Sequence, residues 1–156
     1  MQICFLTIGT KSPQWLENLV QEYNKKISYW ISTNWKSISS PALGRDAQDK
    51  KKSEESESIL IELKPDDYVI LCDEKGSSFG SMDFAKKIEK ILNGGKKRLV
   101  IIIGGPFGVG QEVKKRADLQ LSLSTFTINH QLALAVICEQ IYRAMTILKG
   151  TAYHND

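Results

Sequence analysis

The segment Leu99–Ile103 reads Leu-Val-Ile-Ile-Ile and runs straight into Gly104-Gly105-Pro106-Phe107-Gly108-Val109-Gly110. Five consecutive apolar residues, four of them β-branched, have no polar face to turn toward water. A strand of this kind belongs in the middle of a parallel sheet with helices on both faces. Four glycines in the next seven residues let the backbone turn sharply and approach a ligand closely.

The rest of the chain alternates to match. Gln2–Ile8 reads as a strand. Pro13–Trp30 spaces Trp15, Leu16, Leu19, Val20, Tyr23, Ile27 and Trp30 as a helix, with Ser12 as its N-cap and Pro13 at the first helical position. Trp35–Ser39 reads as a short strand. Residues 41–58 are polar and charge-dense, a loop leading into an exposed helix that ends near Leu63. A Pro65-Asp66-Asp67 turn precedes a buried strand, Tyr68–Cys72. An amphipathic helix follows over Ser78–Gly94, then the central strand, a short helix at Gln111–Arg116, a strand at Leu119–Leu123, and a long helix from Asn129 to Lys149 stopped by Gly150. This is the α/β signature. With 156 residues it predicts one domain spanning 1–156. Ligands in such sheets bind beyond the carboxyl ends of the strands, here just after Cys72, Ile103 and Leu123.

Charge and cysteine use narrow the function. The net charge is only +3, but residues 94–156 hold eight basic against four acidic groups (+4), and the remainder holds thirteen against fourteen (−1). Cys4, Cys72 and Cys138 are far apart and form no Cys-x-x-Cys pair, so the sequence offers neither a disulfide framework nor a metal site, and a reducing cytoplasmic setting is expected. The N-terminus lacks the pattern of a secretion signal. The apolar run 99–110 is too short and glycine-broken to span a bilayer, so no membrane association is expected.

Three motifs can carry chemistry. The glycine-rich loop lacks the Gly-Lys-Ser/Thr ending of a triphosphate loop and has no Gly-x-Gly-x-x-Gly match, which suits a ligand held by backbone groups. Leu121 to His130 alternates hydroxyl and apolar side chains, offering an apolar wall with fixed polar contacts; its plainer use is as a loop capped by Asn129. Glu139, Tyr142 and Arg143 share a helix, with Gly150-Thr151-Ala152-Tyr153-His154 behind them. Glu139 and Arg143 alone amount to a surface ion pair, and a terminal Tyr-His to a frayed end.

Taken together, in this order and over the whole chain, Ile103–Gly108, Leu121–His130, Glu139–Ala144 and Gly150–His154 resemble the ribosomal large-subunit methyltransferase H (RlmH) family of the SPOUT class. The resemblance implies a parallel-sheet α/β domain whose C-terminal part forms a deep trefoil knot, an exception to unknotted topology. It implies a homodimer that binds S-adenosyl-L-methionine in the knot loops and methylates N3 of a pseudouridine of 23S rRNA in the assembled ribosome. It places methyl-donor contacts on Cys72, Gly104, Leu123, Ser124, Thr125, Phe126, Thr127 and Ile128. It places catalytic and RNA-facing roles on Glu139, Arg143, Tyr153 and His154. Many relatives have proline where Asn129 stands, leucine where Cys72 stands, and a basic residue after Tyr-His where Asn155 and Asp156 follow. The alternatives are a SPOUT methyltransferase acting on tRNA and a non-catalytic RNA- or ribosome-binding dimer that keeps the fold.

Overall fold

The computed structural model describes residues 1–9 and 12–154; Asn155 and Asp156, singled out above, lie outside the described residues. Five parallel strands, β1 (Gln2–Ile8), β2 (Ser32–Ile38), β3 (Asp67–Ser77), β4 (Arg98–Ile103) and β5 (Leu119–Leu121), form one sheet in the order β2-β1-β4-β3-β5. The apolar strand β4 is central, as its sequence requires.

Alternation along the strands builds two cores. Ile3, Phe5, Ile70, Leu99, Ile101 and Ile103 face helices α1 (Gln14–Ile27), α3 (Ser81–Leu92) and α5 (His130–Lys149). Cys4, Leu6, Val69, Leu71, Val100 and Ile102 face Ile59 of α2 (Gln48–Glu62) and Val113 of α4 (Gln111–Arg116). By length and composition α5 could cross a bilayer. Its apolarity has another use here, since Leu134, Ile137, Cys138, Ile141, Ala144 and Met145 are all buried against the sheet and its helices.

The structure departs from the sequence reading at several element ends. Helix α1 starts at Gln14, not Pro13, because Pro13 is extended (ψ 149°). The Pro13 carbonyl, not the Ser12 side chain, receives the first amides, from Leu16 and Glu17. The same helix ends at Ile27. Strand β2 starts at Ser32, paired along its whole length with β1. Helix α2 is not simply exposed: Glu55, Ser56 and Ile59 are buried. Strand β5 ends at Leu121. Strand β3 runs on to Ser77, and α3 starts only at Ser81, because β3 pairs with β5 beyond a register shift between Cys72 and Ser77.

That shift brings two backbones together. Ser122 N–H donates to the Ser77 carbonyl at 2.9 Å, and at Gly76 a Cβ would lie 2.5 Å from the Gln120 carbonyl carbon and oxygen. Only a residue without a side chain fits. Gly76→Ala is expected to lower stability by about 1–3 kcal/mol, the usual cost of overpacking, measured by urea denaturation; an unchanged midpoint would contradict the close crossing.

At the opposite edge of the sheet, Asp67 and Arg98 are register partners opening β3 and β4. Arg98 Nε donates to Asp67 Oδ1 at 2.8 Å, Arg98 Nη2 to Oδ2 at 2.5 Å, and Lys64 N–H to Oδ2 at 2.7 Å. Burial alone would raise the Asp67 carboxyl pKa; the Arg98 guanidinium and Lys64 amide outweigh it and hold it below the ordinary value. A depressed folded-state pKa gives stability that is present above the unfolded value, about 3.9, and is lost as pH falls through the folded one. Asp67→Asn is expected to cost about 3 kcal/mol at pH 7, the low end for a broken buried pair because Arg98 reaches solvent. Its urea midpoint should also fall less than the wild type's between pH 5 and pH 3.

Candidate functional site

Strands β4 and β5 end level with Cys72 of β3, which pairs with both Ile103 and Leu121, and β3 itself runs on to Ser77. The three chain segments leaving that edge therefore surround one space, a cavity of about 630 Å³. This is a common size for small-molecule sites, roughly 300–1,000 Å³. Of the residues the resemblance assigns to the methyl donor, Cys72, Gly104, Leu123, Ser124, Phe126, Thr127 and Ile128 line it and Thr125 does not.

Each wall has a local cause. The glycine-rich loop folds into a tight turn, with Gly108 N–H donating to the Gly105 carbonyl at 2.9 Å and Gly108 at φ +71°, and Gly104, Gly105 and Gly108 line the cavity together with Pro106, Phe107 and Val109. The 122–128 segment is shaped by its own hydroxyls. Ser122 Oγ donates to the Ser124 carbonyl at 3.0 Å, and Ser124 Oγ accepts from Phe126 N–H at 2.9 Å. Thr127 Oγ1 then donates to Glu74 Oε2 at 3.3 Å, tying this segment to the one after Cys72. Asn129 Oδ1 accepts from Gln131 N–H at 2.7 Å and caps α5, as the sequence suggested.

The cavity is mixed in polarity. Ile103, Leu121, Leu123 and Ile128 give an apolar side, while Asp73 and Lys114 pair across another at 2.6 Å. Burial would raise the Asp73 carboxyl pKa, but Lys114 and the Lys75 amide win and lower it. Burial lowers the His130 imidazole pKa against the opposing Glu55 carboxylate. The Cys72 thiol is pushed up to about 12 by burial alone. A shift in that direction favours the protonated thiol at neutral pH and suits Cys72 to a place in the wall. Among the described residues no group of three His, Cys, Asp or Glu side chains is placed to hold a metal ion.

Sequence reading missed Lys52, Asp73, Glu74, Lys75 and Lys114 as lining residues. Asp73 to Lys75 follow directly on Cys72, where the sequence reading ended the strand that in fact runs to Ser77, and so were accessible to the carboxyl-end rule. Nothing in the polar stretch around Lys52 marks it out.

Glu139, Arg143, Tyr153 and His154 come together, but elsewhere. Arg143 Nε donates to Glu139 Oε1 at 3.0 Å, Tyr153 Oη donates to the same oxygen at 3.1 Å, and Arg143 Nη1 donates to His154 Nδ1 at 3.1 Å. The guanidinium also sits over the Tyr153 ring, 4.8 Å from its centroid, and Tyr142 packs edge-on against that ring at 4.7 Å. The tail is thus docked, not frayed. Burial, with hydrogen bonds to Tyr23 and Glu139, raises the Tyr153 hydroxyl pKa well above its ordinary value, which makes it a donor and not a base at neutral pH.

None of these four residues lines the cavity. His130 does, at the first turn of α5, and Arg143 lies thirteen residues further along the same helix. At about 1.5 Å per residue that is a separation of roughly 20 Å along the axis.

A parallel sheet whose glycine-rich and hydroxyl-rich segments enclose a cavity at its carboxyl edge is found with a match of residues 1–154 to the family described as predicted SPOUT methyltransferase, and the chain belongs to the SPOUT methyltransferases. It is 45% identical over 155 residues, 99% of each chain, to the ribosomal RNA large subunit methyltransferase H of Bdellovibrio bacteriovorus, and 39% identical over 158 residues, again 99% of each, to that of Christiangramia forsetii. Likeness of that extent places it in the ribosomal RNA large subunit methyltransferase H family. Its fold is also similar to a probable methylase family protein from Haemophilus influenzae Rd KW20, with a TM-score of 0.55 at 12% identity, covering 95% of this chain and 66% of that one.

If Cys72 is only wall, iodoacetamide at pH 8 should label it far more slowly than a free cysteine of pKa about 8.5, with mass spectrometry as the readout. Labelling at the free-thiol rate would show a thiolate at the cavity.

Proposed function

We propose that this protein is an S-adenosyl-L-methionine-dependent methyltransferase acting on large-subunit ribosomal RNA, at N3 of a pseudouridine in the assembled ribosome. The observation that carries the reading is the cavity: an adequate volume, an apolar side, and a glycine loop that leaves backbone groups within reach of a ligand. Those features fit a compact nucleoside ligand. Cys72, Gly104 and the segment 123–128 would hold it, Thr125 through its place in that turn. The group supplies an electrophilic methyl on a sulfonium.

The chain's own residues then have distinct tasks. Methylation of a ring nitrogen needs the base held in line, its N3 proton removed and the resulting charge stabilised. Arg143 can stabilise negative charge on the ring oxygens or hold a phosphate, and Glu139 orients it. Tyr153, its hydroxyl held on Glu139, and His154, its Nδ1 held by Arg143, position the base. The proton acceptor in the cluster is the Glu139 carboxylate. Phosphate contacts supply much of the affinity in RNA binding, and the basic excess of residues 94–156 suits that.

The roughly 20 Å between cavity and tail cluster supports a homodimer. One chain provides both halves of a site but does not bring them together, so the tail of one subunit works at the cavity of the other. Trp15 on α1 and Leu132 and Val136 on α5 are exposed apolar residues available for such docking. The knot agrees with the close passage of residues 76–77 over 120–122. The whole apparatus fits in a single methyltransferase domain spanning residues 1–156, and the reaction belongs in the cytoplasm, where ribosomes are.

Truncation after Ala152, removing Tyr153 and His154, is expected to abolish methylation while S-adenosyl-L-methionine still binds by calorimetry and the protein still sediments as a dimer. The site is read by reverse-transcription arrest on rRNA from cells with and without the protein. Full activity of the truncated chain would overturn the tail assignment. Arrest differences confined to tRNA, or absence of cofactor binding, would overturn the substrate and the enzyme reading respectively.

A further inference from the structure

Helix α2 is the most polar of the four long helices, yet one of its faces is buried under the glycine-rich loop. Lys52, Glu55, Ser56 and Ile59 fall on that face at helical spacing. Ile59 is in the core, while Lys52 lines the cavity. Between them, Ser56 Oγ accepts the Gly110 amide at 2.7 Å and donates to the Lys52 carbonyl at 2.6 Å. Glu55 is 1% exposed. Its Oε1 accepts from Ser40 Oγ at 2.5 Å. Its Oε2 is buried, has no hydrogen-bond partner among the described residues, and is so close to Gly105 that a Cβ there would lie 2.8 Å from it.

A buried carboxylate with one oxygen unbonded is costly, and a neutral side chain would fill the space more cheaply. The cost is borne where the carboxylate braces a loop. Gly105 has no side chain, so its backbone rests directly on Glu55, and Ser56 ties down Gly110 at the loop's other end. The carboxylate's influence also reaches His130, a further cavity residue.

We propose that Glu55 is a positioning residue for the cavity: by bracing Gly105 from behind, it sets where the Gly104–Gly108 turn stands and thereby the affinity for the methyl donor. This rests on the cofactor reading above. Glu55 does not touch the ligand; it acts through the loop.

Two independent readouts test it. Amide hydrogen exchange at Gly108 and Gly110 reports the loop without any ligand. Calorimetry with S-adenosyl-L-methionine reports the site. Glu55→Ala is expected to speed exchange at both amides and weaken binding about tenfold or more, equivalent to about 1.4 kcal/mol. Glu55→Gln, of equal length and still able to accept from Ser40, should restore most of both. Gly105→Ala should weaken binding by pushing against Oε2, and adding Glu55→Ala to it should recover affinity, a non-additive result expected only of groups in contact. If Glu55→Ala does not fold, Glu55→Asp carries the same test by withdrawing the carboxylate one methylene from Gly105. Wild-type exchange rates in these variants, or faster exchange with wild-type affinity, would overturn the proposal. If the wild-type protein itself fails to bind the cofactor, that reading falls, while loop exchange still decides whether Glu55 holds the turn.

Discussion

Parallel pairing of β4 with both its neighbours governs everything else in this molecule. Thr7 and Cys72 flank Ile103 in register, and Leu121 flanks Cys72. The carboxyl ends of β1, β4 and β5 therefore stand level with Cys72 of β3 at one edge of the sheet, and β3 alone runs on past it. The segments that leave β3, β4 and β5 have no route except around a common space. The cavity is thus a product of register, and its side chains are decoration on a backbone arrangement. At the far edge the Asp67–Arg98 pair opens two of the same strands and pins that register from the other end.

Much of this was legible in the sequence, for physical reasons that differ by element. Leu99–Ile103 has no polar face, which leaves a central strand as the solution. Asn129 and Gly150 bracket α5 with local chemistry that operates within a few residues. The same kind of reasoning failed where a distant partner decides. Nothing near Ser77 shows that β3 continues; its continuation depends on Leu121, more than forty residues away. The Ser12 cap failed for a local reason, since an extended Pro13 shifts the helix start by one residue.

For the site, the seven assigned residues that line the cavity lie at Cys72 in β3 or on the segments leaving β4 and β5, where topology alone concentrates ligands. The acidic and basic residues around them were harder to see. Glu55 and Lys52 sit in a run of lysines, glutamates and serines that carries little helical asymmetry, and burial of one face is imposed by the glycine loop lying on it. The tail shows the converse. Its residues were foreseen as a group, and they do assemble, but their distance from the cavity is a property of one straight helix and appears only in three dimensions.

That helix has a consequence for how the protein comes into being. In the sheet's larger core, α5 fills the space between α1 and α3 and covers Phe5, Leu99 and Ile101. It is also the last of the described elements to be synthesised. Roughly thirty residues must follow β5 out of the ribosome before the cover is complete, a delay of roughly two to six seconds at about 5–20 residues per second. During that interval the nascent domain carries a finished sheet with an open apolar groove, the condition under which sheet proteins associate wrongly. The period of greatest risk for this chain falls between the synthesis of β5 and that of α5.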